Sequence, residues 1–330
     1  MQHIRFGRTG LQVSRLCLGT MTFGLQCDEK TSHAIMDAAA DGGITFLDTA
    51  DTYPLGGTLE DKGRTEEIIG RWLRGKRDKV VLATKCCGKV GPAPWQQGTS
   101  RKHVLAAIDA SLTRLGTDYV DLFQAHHFDA STPVDETIEA FDAVVRSGKA
   151  RYVGVSNYQA YRVARSLGRS EALGITRLVS VQPRYNLLFR QIERELLPLC
   201  EEEGLAVIPY NPLAGGLLTG KHKRAAPPLE GSRFALGTAA TTYVQRYWKD
   251  REFDTVDAFV KLAEDNALEP ATLAVAWVLA HPAVTAPLVG ASKPEQLKAS
   301  IAAAELTLDP TLKARLDDLT HDYRMGDAAR

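Results

Sequence analysis

One pattern limits the fold more than any other. A short apolar run followed by a longer stretch of helical periodicity recurs eight times along the chain. The runs are RLCLG (15–19), ITFLD (44–48), KVVLAT (79–84), YVDLFQ (119–124), YVGVS (152–156), RLVSVQ (177–182), LAVIPY (205–210) and TAPLV (285–289). Helical stretches follow them at 31–42, 64–75, 101–115, 133–147, 158–168, 191–203, near 254–280, and at 294–305. In the fourth, Thr132 is the expected cap and Pro133 the first helical residue, with Val134, Ile138, Phe141 and Val145 on one face. Short, mostly apolar strands suit a parallel sheet covered by helices. Eight such units predict a single-domain α/β fold over 1–330, a (β/α)8 TIM barrel rather than a doubly wound sheet. No G-x-G-x-x-G follows the first run, so a Rossmann domain is not indicated. The stretch 211–253 reads as a loop longer than a packed barrel needs.

Composition narrows the class. Of 330 residues, 44% are hydrophobic and 24% charged, enough for a sizeable core. Forty basic side chains balance forty acidic ones, which argues against a nucleic-acid or membrane-surface binder. No apolar stretch reaches the roughly 18 residues of a membrane span, and MQHIRFGRTG has no apolar signal region, so a cytoplasmic location is expected. The five cysteines (Cys17, Cys27, Cys86, Cys87 and Cys200) show no C-x-x-C spacing and read as reduced thiols.

The active site of such a barrel lies at the C-terminal strand ends. There the sequence places Gly19-Thr20-Met21, then Asp48 with Tyr53 beyond it, then Lys85, His126, Ser156-Asn157, Gln182, Tyr210 and Gly290-Ala291-Ser292-Lys293. An acid, a phenol, an amine and an imidazole thus come from three neighbouring strands. A lysine beside a tyrosine is expected to lower the phenol's pKa, and an aspartate behind the lysine to keep it charged. A histidine at the same rim can orient a carbonyl oxygen or relay a proton. The set is a device for delivering a proton to oxygen.

The motifs GTMTFG (19–24), LDTADTY (47–53), ATK (83–85), DYVDLFQAHH (118–127), VGVSNY (153–158), VQPRYN (181–186), YNPLAGGLLTGK (210–221) and GASKPEQL (290–297) resemble, in order and over nearly the whole chain, the aldo-keto reductases. The resemblance implies hydride transfer from a nicotinamide cofactor, NADPH, to a small-molecule aldehyde or ketone. It makes Tyr53 the proton donor, Lys85 and Asp48 its tuning pair, and His126 the substrate-orienting group. His127, its neighbour, is expected to point away, because successive strand side chains alternate. Ser156, Asn157 and Gln182 would hold the carboxamide, and Tyr210 would stack on the nicotinamide. Lys221, Arg233, Ser292 and Gln296 would meet the phosphates and adenosine, helped by the start of a helix near Pro294. Thr20, Met21, Asp48, Asn211, Pro212, Leu213, Gly215, Gly290 and Ser300 complete the implied cofactor contacts. Three departures bear on that assignment. Asn211 stands where serine is common, Ser292-Lys293 where arginine is frequent, and Ala299-Ser300 where Glu-Asn is frequent. Lys293 remains able to meet a 2′-phosphate.

Other readings compete. Lys85 as a Schiff-base lysine would make an aldolase. The resemblance extends to potassium-channel β subunits, cofactor-binding regulatory proteins in which the rim histidine is replaced; His126 favours an enzyme. GGLLTGKH (215–222) nearly spells a P-loop, but His222 stands where Ser or Thr would bind magnesium. His126, His127 and Asp129 match no familiar metal spacing, and no metal is expected. HKRAAPP (222–228) reads as a solvated loop or as a flap over the pyrophosphate. Trp95, Tyr243, Tyr247 and Trp248 read as pocket walls or as packing residues.

Overall fold

The computed structural model describes residues 1–325, apart from the side chain of Thr238; residues 326–330 of the expected span lie outside the described residues. A two-stranded antiparallel hairpin opens the chain, β1 (His3–Arg5) with β2 (Gln12–Ser14). Eight parallel strands follow: β3 (Cys17–Gly19), β4 (Phe46–Asp48), β5 (Val81–Cys86), β6 (Val120–Ala125), β7 (Ala150–Ser156), β8 (Ser180–Gln182), β9 (Ala206–Val207) and β10 (Leu288–Val289). They pair in chain order from β3 to β9, with β10 beside β3. Parallel bridges Val207–Val284 and Tyr210–Leu288 join the last two strands and close the barrel. The expected (β/α)8 architecture is present.

The period of two sorts every strand. Cys17, Phe46, Ala83, Leu122, Ala206 and Ala286 form one apolar cluster inside the barrel, while Leu18, Leu47, Phe123 and Val181 join the larger core against the helices. The unforeseen hairpin supplies the floor, because Phe6 and Val13 belong to the inner cluster and Phe6 meets Phe46 edge-on at 5.8 Å. Two residues beyond the inner apolar layer, the same facing brings Asp48, Lys85, Gln124 and Gln182 inward, and all four are buried. Local alternation thus turns the top of an apolar interior into a polar ring.

The surrounding helices are α1 (Glu29–Asp41), α2 (Arg64–Trp72), α3 (Arg101–Leu115), α4 (Val134–Arg146), α5 (Ala160–Leu173), α6 (Leu196–Glu203), α7 (Gly237–Tyr247), α8 (Asp250–Asp265), α9 (Pro270–Leu279), α10 (Leu297–Ala303) and α11 (Pro310–Leu319). Several expectations change in detail. Thr132 does not cap α4: its hydroxyl donates to Asp129 at 2.6 Å, and Pro133 is the capping residue. Val145 is partly buried and packs at the edge of the core, with Val144 fully buried beside it. The stretch 211–253 is not an open loop. It contains 3₁₀ turns at Ala214–Thr219 and Arg233–Ala235, then α7 and the start of α8. The helices expected near 254–280 are present as α8 and α9, the second starting at Pro270 and buried on nearly every side. The stretch 294–305 divides into a 3₁₀ turn, Pro294–Gln296, and the seven-residue α10. α11 was not anticipated, although Asp309 caps Leu312 at 3.0 Å and Pro310 opens the helix. Among the described residues no helix is long and apolar enough to cross a membrane.

Candidate active site

A cavity of about 640 Å³ opens over the C-terminal strand ends. Tyr53 and His126 line it, and Asp48 reaches its base. Lys85 lies behind that wall, fully buried, with its ammonium donating to Asp48 Oδ2 and, at 2.7 Å, to the Thr49 carbonyl. Its Nζ is 5.1 Å from the centre of the Tyr53 ring. Asp48 Oδ1 accepts from Gln182 Nε2 at 2.8 Å and Gln124 Nε2 at 3.2 Å. Three donors therefore converge on a single buried carboxylate.

Burial alone would drive Lys85 toward its neutral form, but Asp48 and Tyr53 outweigh it and hold the ammonium above its ordinary pKa. That geometry argues against the aldolase reading: a Schiff-base lysine must present its amine to the pocket, and Lys85 is fully buried, paired with Asp48 and outside the cavity lining. Tyr53 corrects the expectation for its phenol. Burial raises its pKa by more than the Lys85 charge lowers it, so the net direction is upward. The His126 ring stands edge-on to Tyr53 at 5.6 Å, and its Nδ1 lies 3.4 Å from the Thr52 hydroxyl. Burial, then the charges of Lys85, His127 and Lys62, push His126 well below its ordinary range. The imidazole is neutral. His127 is exposed and lies outside the cavity lining, as alternation requires.

On the neighbouring wall, Ser156 donates to the Gln182 carbonyl at 2.8 Å, and Tyr210 donates to Asn157 Oδ1 at 2.8 Å. Asn157 Nδ2 in turn donates to the His126 carbonyl at 2.9 Å. Asn157 adopts a left-handed backbone (φ 58°), which asparagine tolerates better than most residues. Asn211 does so too (φ 66°), but its amide is not free. Nδ2 donates to Tyr247 at 2.9 Å, and Oδ1 accepts from the Gly215 amide at 2.7 Å. The side chain that stands in for serine therefore braces the turn.

The other end of the cavity is cationic. Gly215 and Gly216, at φ 71° and 99°, carry the chain round to Lys221, and a Cβ on Gly216 would lie 3.6 Å from Lys221 Cε. Arg233 donates to Tyr243 at 3.1 Å. Lys221 is held below its ordinary pKa, by partial burial first and by the Arg233 charge second. Two cations lining the same end of a cavity form a receptor for an anion such as a pyrophosphate. The charge pattern, the glycine turn and the Tyr210–Asn157–Gln182 wall fit a nicotinamide dinucleotide.

Thr20, Met21, Pro212, Leu213, Gly290, Ser292 and Gln296 also line the cavity. Gln296 Oε1 is engaged by the Ser292 amide at 2.8 Å and hydroxyl at 3.2 Å, so it closes the loop as well as facing the pocket. Ser300 is buried outside the lining, and Ala299 faces the cavity instead. Lys293 is exposed and outside the lining. Of the aromatic candidates only Tyr243 is a wall. Trp248 packs against His222, Phe234 and Phe253, Tyr247 is buried, and Trp95 is 56% exposed. Most of HKRAAPP is exposed, and Gly231–Arg233 border the cavity in its place. Asp129 is a loop brace. Burial would raise its carboxyl, but hydrogen bonds from Ser131, Thr132 and Thr99 bring it down to about 2.

The sequence reading missed Lys62, Glu269, Thr242 and Arg246, all of which line the cavity. They come from loops and helices whose spacing carries no strand-end signal.

The sequence profile described as the aldo/keto reductase family matches residues 15–321. An uncharacterized oxidoreductase, YrpG, of Bacillus subtilis is 40% identical over 97% of this chain and 96% of its own length. A probable voltage-gated potassium channel subunit beta of Arabidopsis thaliana is 35% identical over 93% of this chain and 92% of its own. An L-glyceraldehyde 3-phosphate reductase of Escherichia coli is 34% identical, covering 99% and 94%.

Proposed function

The chain belongs to the aldo/keto reductase family, and from that premise we propose that it is an NADPH-dependent carbonyl reductase with Tyr53 as proton donor. One observation carries the reading: Tyr53 and His126 line one cavity with Asp48 at its base, and Lys85 lies behind them as the ion-pair partner of Asp48. The bound nicotinamide supplies the hydride. The protein supplies the rest. Neutral His126 donates a hydrogen bond to the substrate oxygen and fixes its position beside the Tyr53 hydroxyl. Tyr53 gives that oxygen a proton, and the fixed Lys85 charge stabilises the phenolate that remains. Asp48 keeps Lys85 in place and, through Gln182, ties the proton donor to the wall that holds the carboxamide. Ser156, Asn157 and Tyr210 orient the ring, and Lys221 with Arg233 neutralise the pyrophosphate. Ser292 would supply the polar edge for a 2′-phosphate, with the exposed Lys293, outside the lining, as the neighbouring charge that could reach it. A cytoplasmic, single-domain enzyme acting on a small carbonyl compound is the corresponding whole-protein reading.

The test is NADPH and NADH consumption with 4-nitrobenzaldehyde, comparing wild type with Tyr53→Phe. The expected result is turnover by wild type, with NADPH preferred, and loss of at least about 100-fold in kcat with cofactor affinity retained. A variant that keeps wild-type kcat refutes the assignment of Tyr53. The 35% identity to a channel β subunit favours one second reading, a cofactor-binding regulatory subunit. Tight NADPH binding without turnover of any carbonyl probe is its signature.

A further inference from the structure

Among the described residues, the cavity lining carries four cations, Lys62, Lys221, Arg233 and Arg246, against two carboxylates, Asp48 and Glu269. Asp48 is already paired with Lys85. Lys221 and Arg233 both line the cationic end, and Arg246 hydrogen-bonds the Tyr210 phenol. That leaves Lys62, on the loop between β4 and α2, beside the groups that meet the carbonyl oxygen.

Its position follows from a short chain of contacts. Lys62 Nζ donates to the Thr52 carbonyl at 2.9 Å, and the Thr52 hydroxyl lies 3.4 Å from His126 Nδ1. The next residue is Tyr53. The Lys62 charge is one of those that depress His126. One backbone carbonyl satisfies one of three ammonium donors, and no carboxylate lies within ion-pair distance of Nζ among the described residues. The nearby acids are otherwise disposed. Asp61 is held by Thr58 and by Arg64 at 2.6 Å. Asp51 is fully buried with neither oxygen hydrogen-bonded, and burial followed by the Glu66 charge pushes it well up, toward the neutral acid. Enclosure lowers the Lys62 pKa more than these acids restore it. A partly desolvated ammonium with two donors that no protein group among the described residues takes up can receive an anion at the reaction site.

We propose that Lys62 is a specificity-determining residue that selects carbonyl substrates bearing an anionic group, carboxylate or phosphate, over neutral ones. The inference rests on the reductase reading and deepens it by naming the substrate class. The ammonium takes no part in proton or hydride transfer; it binds the remote charge and aligns the carbonyl with Tyr53 and His126.

Two matched probe pairs test it: 4-carboxybenzaldehyde against methyl 4-formylbenzoate, and glyceraldehyde 3-phosphate against glyceraldehyde. The quantity read is the charged-to-neutral ratio of kcat/KM. Wild type is expected to favour the charged member of at least one pair, and the favoured pair identifies carboxylate or phosphate as the source. Lys62→Met should lower that ratio by about 10- to 100-fold, the worth of a charge-assisted hydrogen bond, and Lys62→Arg should retain most of it. Wild type that prefers the neutral member of both pairs overturns the proposal. So does a Lys62→Met variant in which both members fall together, since that marks a loop-holding role through Thr52. If no probe is turned over, the reductase reading fails, and binding decides about Lys62. Calorimetry of benzoate and of benzamide on NADPH-loaded protein should then show a benzoate preference that Lys62→Met removes; equal binding, or a preference the variant keeps, overturns the assignment.

Discussion

Replacing Asp48 by asparagine keeps the shape of the side chain and removes only its charge. In the wild type, Lys85 and the amides of Gln124 and Gln182 all donate to the two Asp48 oxygens, in a site that is only 1% exposed. Asparagine offers one acceptor oxygen and adds two donors, so at least one donor loses its partner. The larger effect is on Lys85, left as a fully buried cation whose remaining acceptor is the Thr49 carbonyl. Breaking a buried pair by removing one member costs about 3–5 kcal/mol. Urea unfolding of Asp48→Asn at pH 7 should show a loss of that size. The pH dependence gives a second readout. In wild type the Lys85 pKa lies above its ordinary 10.5. Its contribution is therefore fully present below 10.5 and is lost only as pH rises through the folded value. Without Asp48 the folded pKa falls below 10.5, the unfolded chain binds more protons, and stability should rise with pH between the two values. The double variant Asp48→Asn/Lys85→Met should recover about half of the loss at pH 7, since it removes the stranded charge. A single variant that loses less than about 1 kcal/mol, is flat between pH 7 and 10, and gains nothing from the second substitution would refute the argument.

Two further outcomes follow from the same structure. In α2, an added Cβ at Gly70 would lie 2.4 Å from the Arg114 carbonyl on α3, whereas at Gly168 in α5 nothing lies within 4 Å. Gly70→Ala should destabilise by about 1–3 kcal/mol, and Gly168→Ala should stabilise by about 0.5–1 kcal/mol; opposite signs in thermal unfolding check both. The kcat for carbonyl reduction should be flat as pH falls through 6.5, because His126 is already neutral there, and should decline only above pH 10, where the raised Tyr53 phenol begins to lose its proton. A step in kcat near 6.5 would show that His126 titrates during catalysis.

Much of this was legible in the chain itself, because the signals are local. Asp48, Lys85 and Gln124 sit two positions beyond the inward-facing apolar residues Phe46, Ala83 and Leu122, and a period of two sends both to the same side of the sheet. Counting strands was enough to place them on one rim, and the same alternation separated His126 from His127. Short-range chemistry was less reliable where another group competed. Thr132 donates to Asp129, three residues before it, rather than capping α4, and Asn211 was claimed by Tyr247, thirty-six residues later. Tertiary structure alone decided how charges balance in an enclosed volume. The direction of the Tyr53 shift is a contest between desolvation and the Lys85 charge, and composition reports neither the walls nor the distance. The floor supplied by Phe6, the burial of Ser300 behind Ala299, and the convergence of Lys62 and Arg246 on one cavity depend on contacts between segments far apart in sequence. Periodicity sets the face on which a side chain lies; only the packed barrel determines which groups, and which unpaired charges, that face meets.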